Sequence, residues 1–242
     1  MSKLMRWPEA MAGRDTFGFF EDWVDNFVTG DRWTPLTTDS SSASTLVIVD
    51  LATAGGVLEI TQDATDNDEI YFVPTIKSFL IAADKQLYFE ARIQYTEGAT
   101  DDNNVMVGWL STGAANTLID DGGGPVASAT MAVIYKIDGG TVWRCRSQIG
   151  AAVGKTDTIS DSTAGGSAYQ VLGVEVNPYS STKAKVIYTI DGNPLRETNG
   201  DAITHDLTYT NAVAMGPFFG VKNGSATAEV TLCDYIAAFQ DR

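Results

Sequence analysis

The chain has 242 residues, 16 Lys and Arg against 31 Asp and Glu, and a formal net charge of −15. A chain of this length buries about 70–75% of its unfolded surface and needs no staples. Its 44% apolar content is too high for an acidic disordered chain, and its Lys and Arg are too few to neutralise a phosphate track, which excludes nucleic acid as the expected partner.

Residues 1–33 read differently from the rest. They hold Trp7, Trp23 and Trp33 together with Phe17, Phe19, Phe20 and Phe27. Phe20, Trp23, Val24 and Phe27 recur at i, i+3, i+4 and i+7, which predicts a short helix. Asp15 or Thr16 would cap it and Gly30 would end it. About three turns cannot hold alone, so the stripe must dock on the chain's own body or, as an arm, on a partner subunit. The seven aromatic residues are the candidate partner contacts. Residues 1–14 read as a loose lead-in.

From residue 45 the apolar period becomes two, the signature of strands with a buried and a solvated face. Leu87, Phe89, Ala91, Ile93 and Tyr95 share one face. So do Val105, Val107 and Trp109, then Met131, Val133, Tyr135 and Ile137. Leu172–Val176, Ala184–Ile190 and Val230–Ile236 follow the same rule. Shorter strands are expected at Leu46–Val49, Val57–Thr61, Ile70–Val73 and Val213–Val221. Asp138-Gly139, Asp191-Gly192 and Asn223-Gly224 are hairpin signals, because these residues accept positive φ. Thr37–Ser44, Gly98–Asn104, Gly113–Gly124 and Ser160–Ser167 read as polar loops. Many short strands without crossover helices predict an all-β antiparallel sandwich or jelly roll. It spans 34–242 as one domain, preceded by the arm with its short helix over 1–33.

The residues that could carry chemistry are few. His205 is the one histidine, so no multi-His zinc site can form within the chain. It is expected on a surface or loop beside Asp206. Cys145 and Cys233 lack metal-ligand spacing and are expected as buried free thiols. Asp63–Glu69 and Asp101–Asn104 are acidic loops rich in oxygen, the ligand type of Ca²⁺, yet neither has EF-hand spacing. They are expected as solvated hairpin tips, with no cofactor and Ca²⁺ as the alternative. The Glu-x-Asp-x-x-Glu motif of laminarinase-type glycosidases is absent. Glu90 and Glu175 stand alone on their strands, so the two-carboxylate requirement is not met and no enzyme is expected. Glu90 is expected to pair with Arg92. Trp109, Trp143, Tyr135 and Tyr188 are expected in the core rather than on a sugar platform. Arg144 and Arg146 form a local positive spot that could serve an edge or a partner. No signal peptide or membrane span is evident, so synthesis in the cytoplasm is expected.

Several segments taken in order resemble a known group. They are Phe19-Phe20-Glu21-Asp22-Trp23, Leu87–Ile93, Val105–Leu110, Val186–Gly192 and Cys233–Arg242. Over roughly 17–242 the chain resembles the concanavalin A-like (laminin G-like) jelly-roll proteins of tailed bacteriophages. The resemblance implies a structural virion protein, a homo-oligomeric head decoration or cement protein. Its partners would be the major capsid protein and further copies of itself, on the outer capsid surface, with no nucleic acid or membrane contact. The alternative is a lectin-like module of a phage fibre that binds a host glycan.

Overall fold

The computed structural model describes residues 16–23, 32–39, 44–49, 55–75, 77–151 and 153–242. The strands in chain order are β1 (Thr16–Glu21), β2 (Trp33–Thr38), β3 (Thr45–Val49), β4 (Val57–Gln62), β5 (Glu69–Pro74), β6 (Phe79–Ile81), β7 (Leu87–Thr96), β8 (Asn104–Leu110), β9 (Leu118–Ile119) and β10 (Gly124–Pro125). They continue with β11 (Met131–Lys136), β12 (Val142–Ile149), β13 (Val153–Thr163), β14 (Gly166–Ser180), β15 (Lys183–Ile190), β16 (Asn193–Pro194), β17 (Thr204–Thr208), β18 (Val213–Lys222) and β19 (Glu229–Asp241).

Two large antiparallel sheets make a sandwich. One runs β16-β15-β14-β7-β19-β4-β3, with β1 beside β19 and β17 beside β15. The other runs β13-β12-β11-β8-β18-β5-β2, with β6 beside β18. The alternation read from the sequence is the burial pattern of β7, where Leu87, Phe89, Ala91, Ile93 and Tyr95 are all buried. These side chains meet Val105, Val107, Trp109, Ile134 and Trp143 of the facing sheet in one continuous core. Apolar burial of this extent is the main driving force for the fold.

Over the described residues 16–23 the expected helix is replaced by a strand. Thr16–Glu21 is a strand, and its register runs from Thr16↔Asp241 to Glu21↔Ile236 along β19. A three-turn helix gains little by itself, whereas Thr-Phe-Gly-Phe-Phe-Glu as a strand completes the ladder of β19 and puts Phe17 and Phe19 against the core. Val24, Phe27 and Gly30 lie outside the described residues.

The eight-stranded sheet is buried on both faces at its centre. Ile70, Phe72, Val105, Val107, Ala132, Ile134, Phe219 and Val221 face the main core. Their neighbours Tyr71, Met106, Met131, Val133, Tyr135 and Phe218 point the other way into a second apolar cluster. That cluster is closed by Leu118 and Ala129 of segment 111–130, of which Gly113–Gly124 reads in the sequence as a polar loop.

The hairpin signals divide. Asp191 (φ 50°) and Gly192 (φ 75°) take the paired positive φ of a tight turn between β15 and β16. Asn223-Gly224 does not. Gly224 is needed for a different reason: a Cβ there would sit 2.2 Å from the Asp102 carbonyl oxygen. Asn223 is fully buried and works as a clamp.

Candidate functional site

The aromatic residues of the N-terminal region gather at one edge of the sandwich. Phe17 stacks on Phe79 at 5.2 Å, and Phe19 meets Trp33 edge-on at 5.7 Å. Trp23 and Trp33 are 1% and 2% exposed and pack on Phe72 of their own chain. Glu21 accepts a hydrogen bond from Trp33 Nε1 at 3.2 Å and pairs with Arg32 at 2.7 Å. The Arg32 guanidinium lies over the Phe19 ring at 5.0 Å. Phe17, Phe19, Phe79, Pro74 and Arg32 line a groove of about 240 Å³ between the edges of the two sheets. Phe20 points to the other face, against Tyr235 at 5.2 Å. Trp7 and Phe27 lie outside the described residues. Phe79, contributed by β6, was not singled out from the sequence, because a three-residue strand has no period to read.

Segment 111–130 is pinned to the sheet by buried polar side chains. Lys222 Nζ donates to Asn116 Oδ1 at 2.7 Å and to the Leu118 carbonyl at 3.1 Å, and pairs with Glu69 and Asp120. Tyr71 donates to Glu69 at 2.6 Å and accepts from Leu118 N at 3.0 Å. Burial and the Glu69 carboxylate push the Tyr71 phenol far above its ordinary range, so it stays a neutral donor. Arg146 is 5% exposed, so it is no surface spot. It pairs with Asp157 at 2.5 Å and donates to the Pro125 carbonyl, because its strand face is covered by this segment.

His205 is also not at the surface. It is 3% exposed in β17. Ser147 Oγ and Tyr188 OH each lie 3.0 Å from Nδ1, and Thr158 Oγ1 lies 3.0 Å from Nε2. Alternation in Thr204–Thr208 turns His205 inward while Asp206 faces out. Burial lowers its pKa to about 4, so the ring is neutral at pH 7. Ser147 is fully buried too, and no substrate carbonyl can reach it. Cys145 and Cys233 are free and buried, and burial raises both thiols.

Among the isolated strand acids, Glu90 accepts from Tyr235 OH at 2.5 Å. Arg92 pairs with Asp234 at 2.5 Å instead of Glu90, because Asp234 lies on the adjacent strand β19. Trp109, Trp143, Tyr135 and Tyr188 are all core residues.

The loops at one end of the sandwich are acidic, and two clusters form there. In the first, Glu97 pairs with the buried Lys136 at 2.5 Å, and Glu229 accepts from Gly98 N at 3.1 Å. Burial, with Glu97 and Asp102 nearby, raises Glu229 to about 7. In the second, carboxylate oxygens of Asp39, Asp63 and Asp68 lie within 4.8 Å of one another. The sequence marked the loop of Asp63 and Asp68. Asp39 comes from the end of β2, and no local pattern joins it to them.

No family model and no curated protein matches the sequence. Solved structures do match. The endo-1,3-β-glucanase of Streptomyces sioyaensis superposes with a TM-score of 0.59 at 16% identity, over 94% of this chain and 97% of the enzyme. Peanut lectin gives 0.52 at 11% identity, over 93% and 97%. A protein of unknown function from Shewanella oneidensis MR-1 gives 0.55 at 14% identity, over 94% and 87%. The fold is the concanavalin A-like jelly roll.

Proposed function

We propose that this protein acts by binding rather than catalysis, as a structural component on the outside of a phage head. The observation that carries the binding half is the covering of the eight-stranded sheet. Segment 111–130 occupies the sheet face away from the main core, and Lys222, Arg146 and Tyr71 hold it there. The side chains that catalysis would recruit serve structure instead: His205 is neutral and enclosed, and Glu90 is bound to Tyr235. The phage-head half follows from the resemblance to jelly-roll virion proteins. It is supported by the aromatic groove at an open edge, where rings give large contact area at low entropy cost. The net charge of −15 suits an outer surface kept away from packaged nucleic acid. Partners in this reading are the capsid shell and further copies of the chain.

The test is co-sedimentation of the purified chain with capsids that lack decoration. Saturable binding supports the reading, and no binding at micromolar protein overturns it. A second reading, a lectin-like glycan-binding module, is favoured by the likeness to peanut lectin and to the Emp47p carbohydrate recognition domain, the latter with a TM-score of 0.54 at 9% identity. A glycan array decides between them, because selective binding to one glycan class would put the lectin reading first.

A further inference from the structure

The second acidic cluster joins three separate parts of the fold. Asp39 follows β2 at the edge of the eight-stranded sheet. Asp63 and Asp68 bound the loop by which the chain crosses from β4 in one sheet to β5 in the other. Asn223 follows β18 and reaches into that loop: its Nδ2 donates to the Asp63 carbonyl at 2.6 Å and the Thr65 carbonyl at 2.9 Å, and its backbone N donates to the Asp68 carbonyl at 2.9 Å.

Acidic side chains alone would be a solvated loop tip. Two amides beside them say more. Gln62 and Asn223 are 1% and 0% exposed. Each spends its NH₂ group on the backbone of this loop, Gln62 on the Asp68 carbonyl at 2.9 Å. Those contacts fix the amide orientation, because an oxygen cannot face a carbonyl oxygen at that distance. Gln62 Oε1 and Asn223 Oδ1 are then left buried at the same loop with no donor. A buried acceptor without a donor is costly and calls for water or an ion.

We propose that Asp39, Asp63 and Asp68 bind one Ca²⁺, with the Gln62 and Asn223 amide oxygens as neutral oxygen donors at the same loop. The donor set is oxygen only, which selects a hard cation over zinc or copper. Oxygens around one Ca²⁺ lie at 2.3–2.6 Å from it and so at most about 5 Å apart; the three carboxylates meet that limit. Asp39 and Asp63 are half-buried, which leaves the ion a way in from solvent. Bound there, Ca²⁺ ties the end of β2, the β4–β5 crossing and the β18–β19 connection together.

The experiment uses the whole chain, stripped with a chelator and then titrated with Ca²⁺ by calorimetry and thermal melting. One saturable site is expected, with a Kd on the order of 10⁻⁴–10⁻³ M, and a Tm that rises with Ca²⁺ beyond Kd. Asp63→Asn and Asp39→Asn should each weaken binding by about tenfold or more through lost ligand charge. Asp102→Asn, in the other acidic cluster, should leave it unchanged. Two results would overturn the proposal: no saturable heat and no Tm rise in millimolar Ca²⁺, or an equal Tm rise with Mg²⁺ that persists in both Asp→Asn variants. The latter would mean general screening of an acidic chain.

Discussion

Lys222 and Glu69 form an ion pair at 3.2 Å with 1% and 2% of their side chains exposed. The pair is embedded in further bonds. Glu69 accepts from Thr38 Oγ1, Tyr71 OH and Asn116 N, and Lys222 donates to the Leu118 carbonyl. A buried pair satisfied on every side is strongly coupled: losing one partner leaves an uncompensated charge. Lys222→Met should therefore cost about 3–5 kcal/mol in urea unfolding, and the double variant with Glu69→Gln should recover part of that. A loss in the double variant equal to the sum of the two single losses would show that the charges are not coupled.

The pH response of stability should rest on two opposed groups. His205 has its pKa lowered from 6.5 to about 4 by burial, so it contributes stability that is present above 6.5 and lost as pH falls towards 4. Glu229 is raised from 4.5 to about 7, so its contribution is present below 4.5 and lost as pH rises towards 7. Between about pH 4.5 and 6.5 the two slopes oppose one another. Glu229→Gln should unmask the acid sensitivity, worth about 3 kcal/mol for a shift of His205's size. His205→Gln should unmask the opposite slope. Tm measured across pH 4–8 for the three proteins checks this, and parallel profiles would refute it.

The N-terminal region should divide by function within itself. Trp23→Ala removes a fully buried ring packed on Trp33 and Phe72 and should cost about 3–5 kcal/mol. Residues 1–14, read from the sequence as a loose lead-in, should be removable with the cooperative melt retained. Deleting 1–33 removes β1 and the buried Trp23 and Trp33, and should abolish it. A native-like melt after the longer deletion would mean that β1 is dispensable.

Arg32 is largely exposed and borders the groove, so Arg32→Ala should change stability by no more than about 1 kcal/mol. If the groove contacts the capsid shell, co-sedimentation should still fall severalfold. Unchanged binding would move the contact elsewhere.

The strands were legible because alternation is a local signal. The period of Leu87–Tyr95 or Ala184–Ile190 reports one buried face directly. What escaped was decided by partners distant in sequence. Phe20, Trp23, Val24 and Phe27 carry a helical period, yet β19, some 220 residues later, makes a strand of Thr16–Glu21. Segment 111–130 is Gly-rich and polar, and its apolar cover rests on a few scattered residues, Leu118, Val126 and Ala129. His205 alternates correctly within β17, but a five-residue strand between loops gives too few periods to show which face is inward. The cluster at Asp39 depends on the way β2 and the β4–β5 loop converge, which composition does not reveal.

The placement of β19 bears on how the chain can fold during synthesis. This strand pairs with β7 along most of its length, and with β4 and then β1 on its other side. It is the central rib of the nine-stranded sheet, and it is made after every strand it joins. While the ribosome works from residue 21 to 229, β1, β4 and β7 wait with unpaired edges, an exposure that invites pairing between neighbouring nascent chains. Closure of long-range pairs of this kind is slow, so high-level expression should favour slower translation or a chaperone that covers those edges.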